Sequence, residues 1–423
     1  MKTLIKNVNV FNGYDAKLNP LANLVIQDGI VVDIFHGAAE EDGFEQVIEG
    51  NGCTAMPGMM DAHTHLGLCV TDEESTQMRI DELAIRSTVY ARSMLERGFT
   101  SVRDAGGMVL GLKNEIDRGT VAGPKIFPSH ACISQTCGHA DARVSRADER
   151  LADGTYTAIA MRNGGMVIAD GIPEVMRAVR QQLFLGASQI KIMAGGGLSS
   201  KFDNFYTTQY TFEEVKAAVD CASDYGTYVM AHIYTAECMK RAARAGVRSF
   251  EHATLMDEET AKIVKDSGIW VCPGPQFAGN EPHKDGPPPK ITGREVPRHV
   301  ILDGERQLTD LINKYDIPIV FGTDASRPLE MVEFRQHDDI RQFKRRFGSL
   351  KTLRALTGNT YELNKLCTYQ HPYPDAKLGV LELDSYADLL LVDGNPVEDV
   401  AILSDKNNIK LVMKDGVVYK NAL

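Results

Sequence analysis

Long apolar runs, clustered basic residues, paired cysteines and a glycine-rich dinucleotide fingerprint are all missing from this chain, and each absence counts against a class of function. No uninterrupted hydrophobic stretch is long enough to span a bilayer, and residues 1–10 alternate like a strand where a signal peptide would carry a solid apolar core. The sequence therefore reads as cytoplasmic, with no membrane partner. Lys and Arg total 46 against 57 Asp and Glu, a formal charge of −11, and no basic run offers a footing for a phosphate backbone, so nucleic acid is not an expected partner. The 8 cysteines are scattered without a Cys-x-x-Cys pair, which argues against a zinc–thiolate site or a disulfide framework and leaves most of them as reduced core thiols. No Gly-x-Gly-x-x-Gly follows a first strand, which weighs against a doubly wound dinucleotide fold. What is present, 423 residues at 43% hydrophobic and 24% charged, is enough for a globular protein with a substantial core, and a homo-oligomer is compatible with it.

The two ends of the chain share a style. Short alternating segments at 3–12, 24–27, 30–35 and 46–48 read as strands, as do 387–392, 409–413 and 417–419, with hairpin signals at Asp28-Gly29 and Asp415-Gly416. The termini are expected to pair into one small β-sandwich domain, 1–54 plus 366–423, around an inserted unit at 55–365.

That middle alternates strand-like and helix-like stretches. Strands are expected at 54–61, 100–104, 125–133, 189–194, 228–233, 249–253, 270–273 and 317–322, with amphipathic helices at 80–97, 173–185, 212–225, 237–245, 258–266 and 300–315 between them. Eight such rounds predict an α/β fold, a (β/α)8 TIM barrel whose reactive groups gather at the C-terminal ends of its strands. Two long loops, 134–172 and 274–298, would emerge on that face as lids or substrate walls.

The strand ends carry a pattern. His63 and His65 close the first strand two residues apart, so both rings leave one face of an extended chain, with Asp61 on the same face. Lys191 stands in the fourth strand, His232 in the fifth, His252 in the sixth and Asp324 after the eighth. Nitrogen and oxygen donors without sulfur suit zinc or another borderline divalent ion with an open coordination position.

This set resembles the amidohydrolase superfamily with its binuclear metal centre. The Gln-Thr-x-Gly-His motif at 135–139, His-x-Tyr-Thr at 232–235 and Leu-Val-Met-Lys-Asp-Gly at 411–416 resemble its imidazolonepropionase-like branch, within which the metal-dependent Xaa-Pro and Xaa-Arg/Lys dipeptidases are the nearest likeness. The resemblance implies two divalent ions, zinc by preference: His63, His65 and Asp324 on one, His232 and His252 on the other, and Lys191 bridging them as a carbamate formed with CO2. It also implies a hydroxide held between the metals as nucleophile, Asp324 as general base and then general acid, and His139 and Tyr234 as catalytic and substrate-contacting groups. Arg103 and Asp104 would support the ligands by hydrogen bonding, or form an ion pair that ties strand ends together. The competing readings are a lysine paired with an acid such as Glu251, a turn-capping Asp324, and a packed tyrosine and loop histidine at 234 and 139.

The expected activity is hydrolysis of a C–N amide bond in a small substrate, an L-dipeptide or N-acyl-L-amino acid. The alternative is a cyclic amidase or imidazolonepropionase-like ring hydrolase, or a deaminase; a non-catalytic scaffold would be expected to have lost ligands. Cys137 and residues 274–277 depart from the dipeptidase relatives, which bears on the substrate rather than on the reaction.

Overall fold

Apolar alternation builds strands at both ends of the chain, and they meet. Val417–Asn421, Ile409–Lys414, Leu389–Val392, Thr54–Pro57, Lys2–Val10, Asn19–Gln27 and Ile30–His36 lie side by side in that order, with Gln46–Glu49 also on Lys2–Val10, in one 8-stranded sheet. The computed structural model describes residues 1–69, 78–143, 145, 159–274, 296–325 and 329–423. Both expected hairpins are present: Asp28 and Gly29 have φ of 49° and 82°, and Asp415 and Gly416 of 52° and 74°. Two successive left-handed residues match the twist of the flanking strands, which is why Asp-Gly serves there. Ile5, Val8, Leu24, Ile26, Leu389, Leu391, Leu411 and Met413 pack into the core of this sheet.

The middle of the chain forms two parallel sheets in a mixed α/β fold. One runs Met59–Thr64, Phe99–Asp104, Lys125–Phe127; the other runs Met166–Ile168, Cys132–Ser134, Ile190–Met193, Val229–Thr235, Ser249–Leu255, Trp270–Cys272. Neither sheet closes on itself. Residues 318–325 bond to both: Val271 N–H donates to Pro318 O at 3.0 Å on one side, and Ala62 N–H to Phe321 O at 2.7 Å and His65 N–H to Ala325 O at 3.0 Å on the other. Bridges Val271–Ile319 and Thr64–Ala325 are both parallel, so the C-terminal ends of the strands in the two sheets face one way.

Three expected strands differ. The predicted strand at 54–61 is two, Thr54–Pro57 in the terminal sheet and Met59–Thr64 in the parallel one, because the chain passes between sheets at Gly58. A Cβ there would lie 2.0 Å from Thr100 Oγ1, so only glycine permits the approach. The predicted strand at 125–133 breaks at Pro128, and His130 turns with φ 57°. The predicted strand at 317–322 keeps only one isolated bridge, at Ile319, since Pro318 has no N–H to donate. Inside the long 134–172 stretch, Met166–Ile168 pairs with Cys132–Ser134, an element too short to show a period; residues 146–158 and 275–295, which contain much of both expected lids, lie outside the described residues.

The six expected helices fall within two residues of expectation, from Ile80–Glu96 to Arg298–Tyr315, while Leu110–Asp117, Leu329–Phe347, Ser349–Leu356 and Gly358–Asn364 are helices the sequence reading does not include. Their starts are capped by the sequence: Asp257 accepts from Thr260 N at 2.7 Å, and Thr211 with Glu214 forms a capping box. Thr235 caps Ala236–Ala245, so a helix begins two residues after Tyr234. Lys125, buried, joins the layers by donating to Asp388 at 2.9 and 3.0 Å and to Asp415. No helix among the described residues is long and apolar enough to cross a membrane.

His130 gives the core a pH signature. Burial pushes its imidazole down from about 6.5 to about 4, so the unfolded chain binds the extra proton and stability falls as pH drops from about 6.5 to about 4. The expected contribution is about 3 kcal/mol across that window. His130→Asn, an exchange compatible with the left-handed backbone, should flatten the dependence. Urea unfolding of both proteins at pH 7 and pH 4 measures it, and parallel pH profiles would contradict it.

Candidate functional site

The strand ends deliver their side chains to one buried region. His63 is 1% exposed, Lys191 1%, His232 4%, His252 5% and His65 8%. Two candidates hold backbone conformations that L-residues avoid, His252 at φ 74° and Asp324 at φ 51°, the local strain that gathers at functional sites. Glycines make room for the rings: a Cβ on Gly274 would sit 2.5 Å from His252 Nδ1, and one on Gly322 2.7 Å from His63 Cβ.

His63 Nε2 lies 3.5 Å and His65 Nε2 3.1 Å from Asp324 Oδ1, and donor atoms of the three residues lie within 4.8 Å of one another. The outer ring nitrogens are occupied. His63 Nδ1–H donates to Glu251 Oε2 at 2.7 Å and His65 Nδ1–H to Gly106 O at 2.8 Å. With both protons outward, both Nε2 lone pairs face the carboxylate oxygen, the arrangement by which second-layer acceptors prepare imidazoles for a metal. His252 is a ring neighbour of His232 at 4.7 Å and of His63 at 5.2 Å. Among the described residues no third His, Cys, Asp or Glu donor joins His232 and His252 at ligand spacing.

Electrostatics favour ligand forms. Burial, helped by the charge of Lys191, pushes His63 down to about 4; burial pushes His252 down to about 3 and His232 well below its usual value. Burial opposes ionisation of Asp324, but the close approach of His65, with His63 and His252 beside it, outweighs this and holds its carboxyl well below the usual range, and the same contact raises His65 against the pull of its own burial. Burial lowers Lys191, and among the described residues its Nζ has no ion pair or hydrogen bond, with Glu251 or any other acid. Neutral imidazoles at His63, His232 and His252, an ionised carboxylate and an amine pushed toward neutrality fit a divalent-cation centre.

Arg103 and Asp104 serve different parts of this frame. Arg103, fully buried, grips Glu251 at 2.9 and 3.0 Å and also donates to Ala62 O at 2.6 Å, Ser249 Oγ at 3.0 Å and Tyr228 OH at 3.2 Å. Asp104 accepts the backbone N–H groups of Leu66 at 3.1 Å and Gly106 at 3.3 Å, shaping the turn whose carbonyl holds His65. The sequence offers Glu251 only as a partner for Lys191; its place beside His252, in a strand whose side chains alternate between two faces, is the available signal for a role behind His63. Asp61 accepts from His63 N at 3.2 Å, Thr323 N at 3.1 Å, Thr323 Oγ1 at 2.6 Å and Gln336 Nε2 at 3.1 Å. It thereby ties the His63 strand to the turn bearing Asp324. Gln336 sits 275 residues from Asp61, and nothing local foretold the pairing.

His139 and Tyr234 border the same region. The His139 ring stacks on His232 at 4.0 Å and 13°, and Tyr234 on His252 at 4.9 Å and 8°. Burial holds the Tyr234 phenol well above its usual value, so it is a hydrogen-bond donor at neutral pH.

A sequence model described as the amidohydrolase family matches residues 54–419. The chain is 28% identical over 424 residues to ochratoxinase from Aspergillus niger, covering 95% of this chain and 84% of that protein. Among solved structures, an amidohydrolase superposes with a TM-score of 0.89 at 32% identity, both chains covered at 100%. A prolidase complexed with N-methylphosphonate-L-proline superposes at 0.86 with 31% identity, again with 100% of both chains covered.

Proposed function

The chain belongs to the amidohydrolase family and is a hydrolase of carbon–nitrogen amide bonds, and from that premise we propose that it cleaves an L-dipeptide or N-acyl-L-amino acid at a two-metal centre. The observation that carries the proposal is the convergence of His63 Nε2 and His65 Nε2 on Asp324 Oδ1, with both Nδ1 atoms held from behind. In this reading His63, His65 and Asp324 would hold one divalent ion and His232 and His252 the other, zinc by preference for such a donor set. Lys191 is the bridge. Its amine, pushed toward the neutral form by burial, would add to CO2 with loss of a proton, and the resulting carbamate would offer two oxygens to the cations. We further read the two parallel sheets and residues 318–325 as one (β/α)8 barrel at 55–365, with 1–54 and 366–423 as the flanking β-domain. The bonds of 318–325 to both sheets support this.

Divalent ions bound there would acidify a water and polarise the scissile carbonyl. Asp324 takes the proton of the attacking water and returns it to the departing amine. Glu251 and Arg103 keep His63 in one tautomer through the cycle. Tyr234 and His139, stacked on His252 and His232, are set to hydrogen-bond the substrate, and burial of both limits competing water.

The substrate carries a carboxylate beside the scissile bond. Supporting this is the L-proline part of the ligand in the prolidase neighbour, together with the donors of Tyr234 and His139. A site built to bind a polar group rejects the analogue that lacks it, by about 10⁴-fold at the upper end, because its own buried donors are left unpaired. An N-acyl-L-amino acid and its carboxamide form the test pair. The free acid is expected to have the higher kcat/KM, and Tyr234→Phe to narrow the gap; equal values would refute carboxylate recognition. Ring opening of a hydantoin or imidazolone with neither amide cleaved would transfer the site to the cyclic-amidase reading.

A further inference from the structure

The loop that follows the Ile190–Met193 strand does something no site motif requires: it comes back beneath His139. His139 Nδ1 lies 3.1 Å from Asp203 Oδ2 and 3.1 Å from Ser200 Oγ, while Ser200 Oγ accepts the backbone N–H of Ala140 at 2.9 Å. The same Asp203 Oδ2 accepts Gly197 N–H at 2.7 Å, so the carboxylate is locked to its own loop. Gly197 is pressed against the ring edge, where a Cβ would fall 2.1 Å from both Nδ1 and Cε1. On the far face the ring stacks on His232. The backbone N–H of His139 donates to Gln209 Oε1 at 2.8 Å, a residue at the other end of this loop. Phe205, from the loop's middle, packs on Tyr234 at 4.8 Å.

We propose that Asp203 is the positioning residue of His139, fixing both its ring plane and which nitrogen carries the proton. A carboxylate can only accept, so a contact at this distance places hydrogen on Nδ1. Among the described residues Nε2 then has no partner, and it is the nitrogen left for a substrate. The Asp203 side chain is fully buried, and among the described residues its second oxygen, Oδ1, has no hydrogen-bond partner, a cost that a merely structural acid would not need to bear. The loop of residues 195–210 thus acts on both groups assigned to substrate contact, His139 through Asp203 and Tyr234 through Phe205. Nothing near position 203 in the sequence marks it, because the loop has no periodicity and its partner lies 64 residues away.

The consequence for selectivity rests on the reading of His139 as a substrate contact; the positioning role does not. Two readouts on the metal-loaded enzyme therefore separate them. Side-chain 15N shifts of His139, assigned by difference against His139→Asn, should show Nδ1–H in the wild type. Asp203→Ala should lose that signature and Asp203→Asn, whose amide oxygen can still accept, should keep most of it. Wild-type protonation at Nε2, or an unchanged spectrum in Asp203→Ala at unchanged melting temperature, overturns the proposal. In the acid and carboxamide assay Asp203→Ala should raise KM for the acid by about 10- to 100-fold with kcat and metal content near wild type, the pattern of lost uniform binding, and Asp203→Asn should restore much of it. If the tautomer shifts in Asp203→Ala while neither it nor His139→Asn alters selectivity, the positioning stands and the carboxylate reading falls.

Discussion

Lys191→Ala is expected to lose turnover and bound metal together, and to regain part of both when a short carboxylic acid is supplied. The side chain is 1% exposed and carries a charge that burial disfavours, yet among the described residues no acid pairs with it. As an ammonium it would repel any cation brought to His63, His65, His232 and His252, all of which feel its charge. As a carbamate it would draw them in. Removal of that bridge takes away several kcal/mol of transition-state stabilisation, so kcat/KM should fall by about 10³-fold or more. Acetate or propionate can enter the space left by the lysine and present two oxygens at the same place; a neutral amide of the same size cannot. Activity and metal content measured with and without each additive check this. A variant that keeps its metals and most of its activity would remove Lys191 from the centre.

Asp324→Asn separates holding from proton transfer. Asparagine can coordinate through its amide oxygen but cannot take up a proton, so the variant should retain much of its metal while kcat falls by about 10²- to 10⁴-fold. KM should change little, because the lost interaction belongs to the transition state. The left-handed backbone at this position, φ 51°, is one that asparagine adopts readily, so local folding should survive the exchange. Steady-state kinetics beside elemental analysis report the two effects separately. Turnover within a few-fold of wild type would exclude Asp324 as the acid and base.

Why these two residues could be singled out from sequence, while their supports could not, follows from the physics of each. A ligand at a strand end is written in local pattern: two histidines at i and i+2, then single histidines, a lysine and an aspartate closing apolar runs. Helix positions are legible for the same reason, since the 3.6-residue period survives in 80–97 and 212–225. The frame behind the ligands is long-range. Glu251 reaches His63 across 188 residues, Gln336 reaches Asp61 across 275 and Asp203 reaches His139 across 64, and no window of sequence contains both partners. The misread strands have their own causes. At Gly58 a close approach to Thr100 lets the chain leave one sheet for another, and at Pro318 a missing N–H limits the ladder. Apolarity alone records neither.

Metal stoichiometry against activity tests the central claim most directly. The purified protein, stripped with a chelator and titrated with zinc in the presence of bicarbonate, should bind two equivalents per chain, with activity rising as the second is bound. One tightly bound ion that already gives full activity would contradict a centre shared by His63, His65, Lys191, His232, His252 and Asp324.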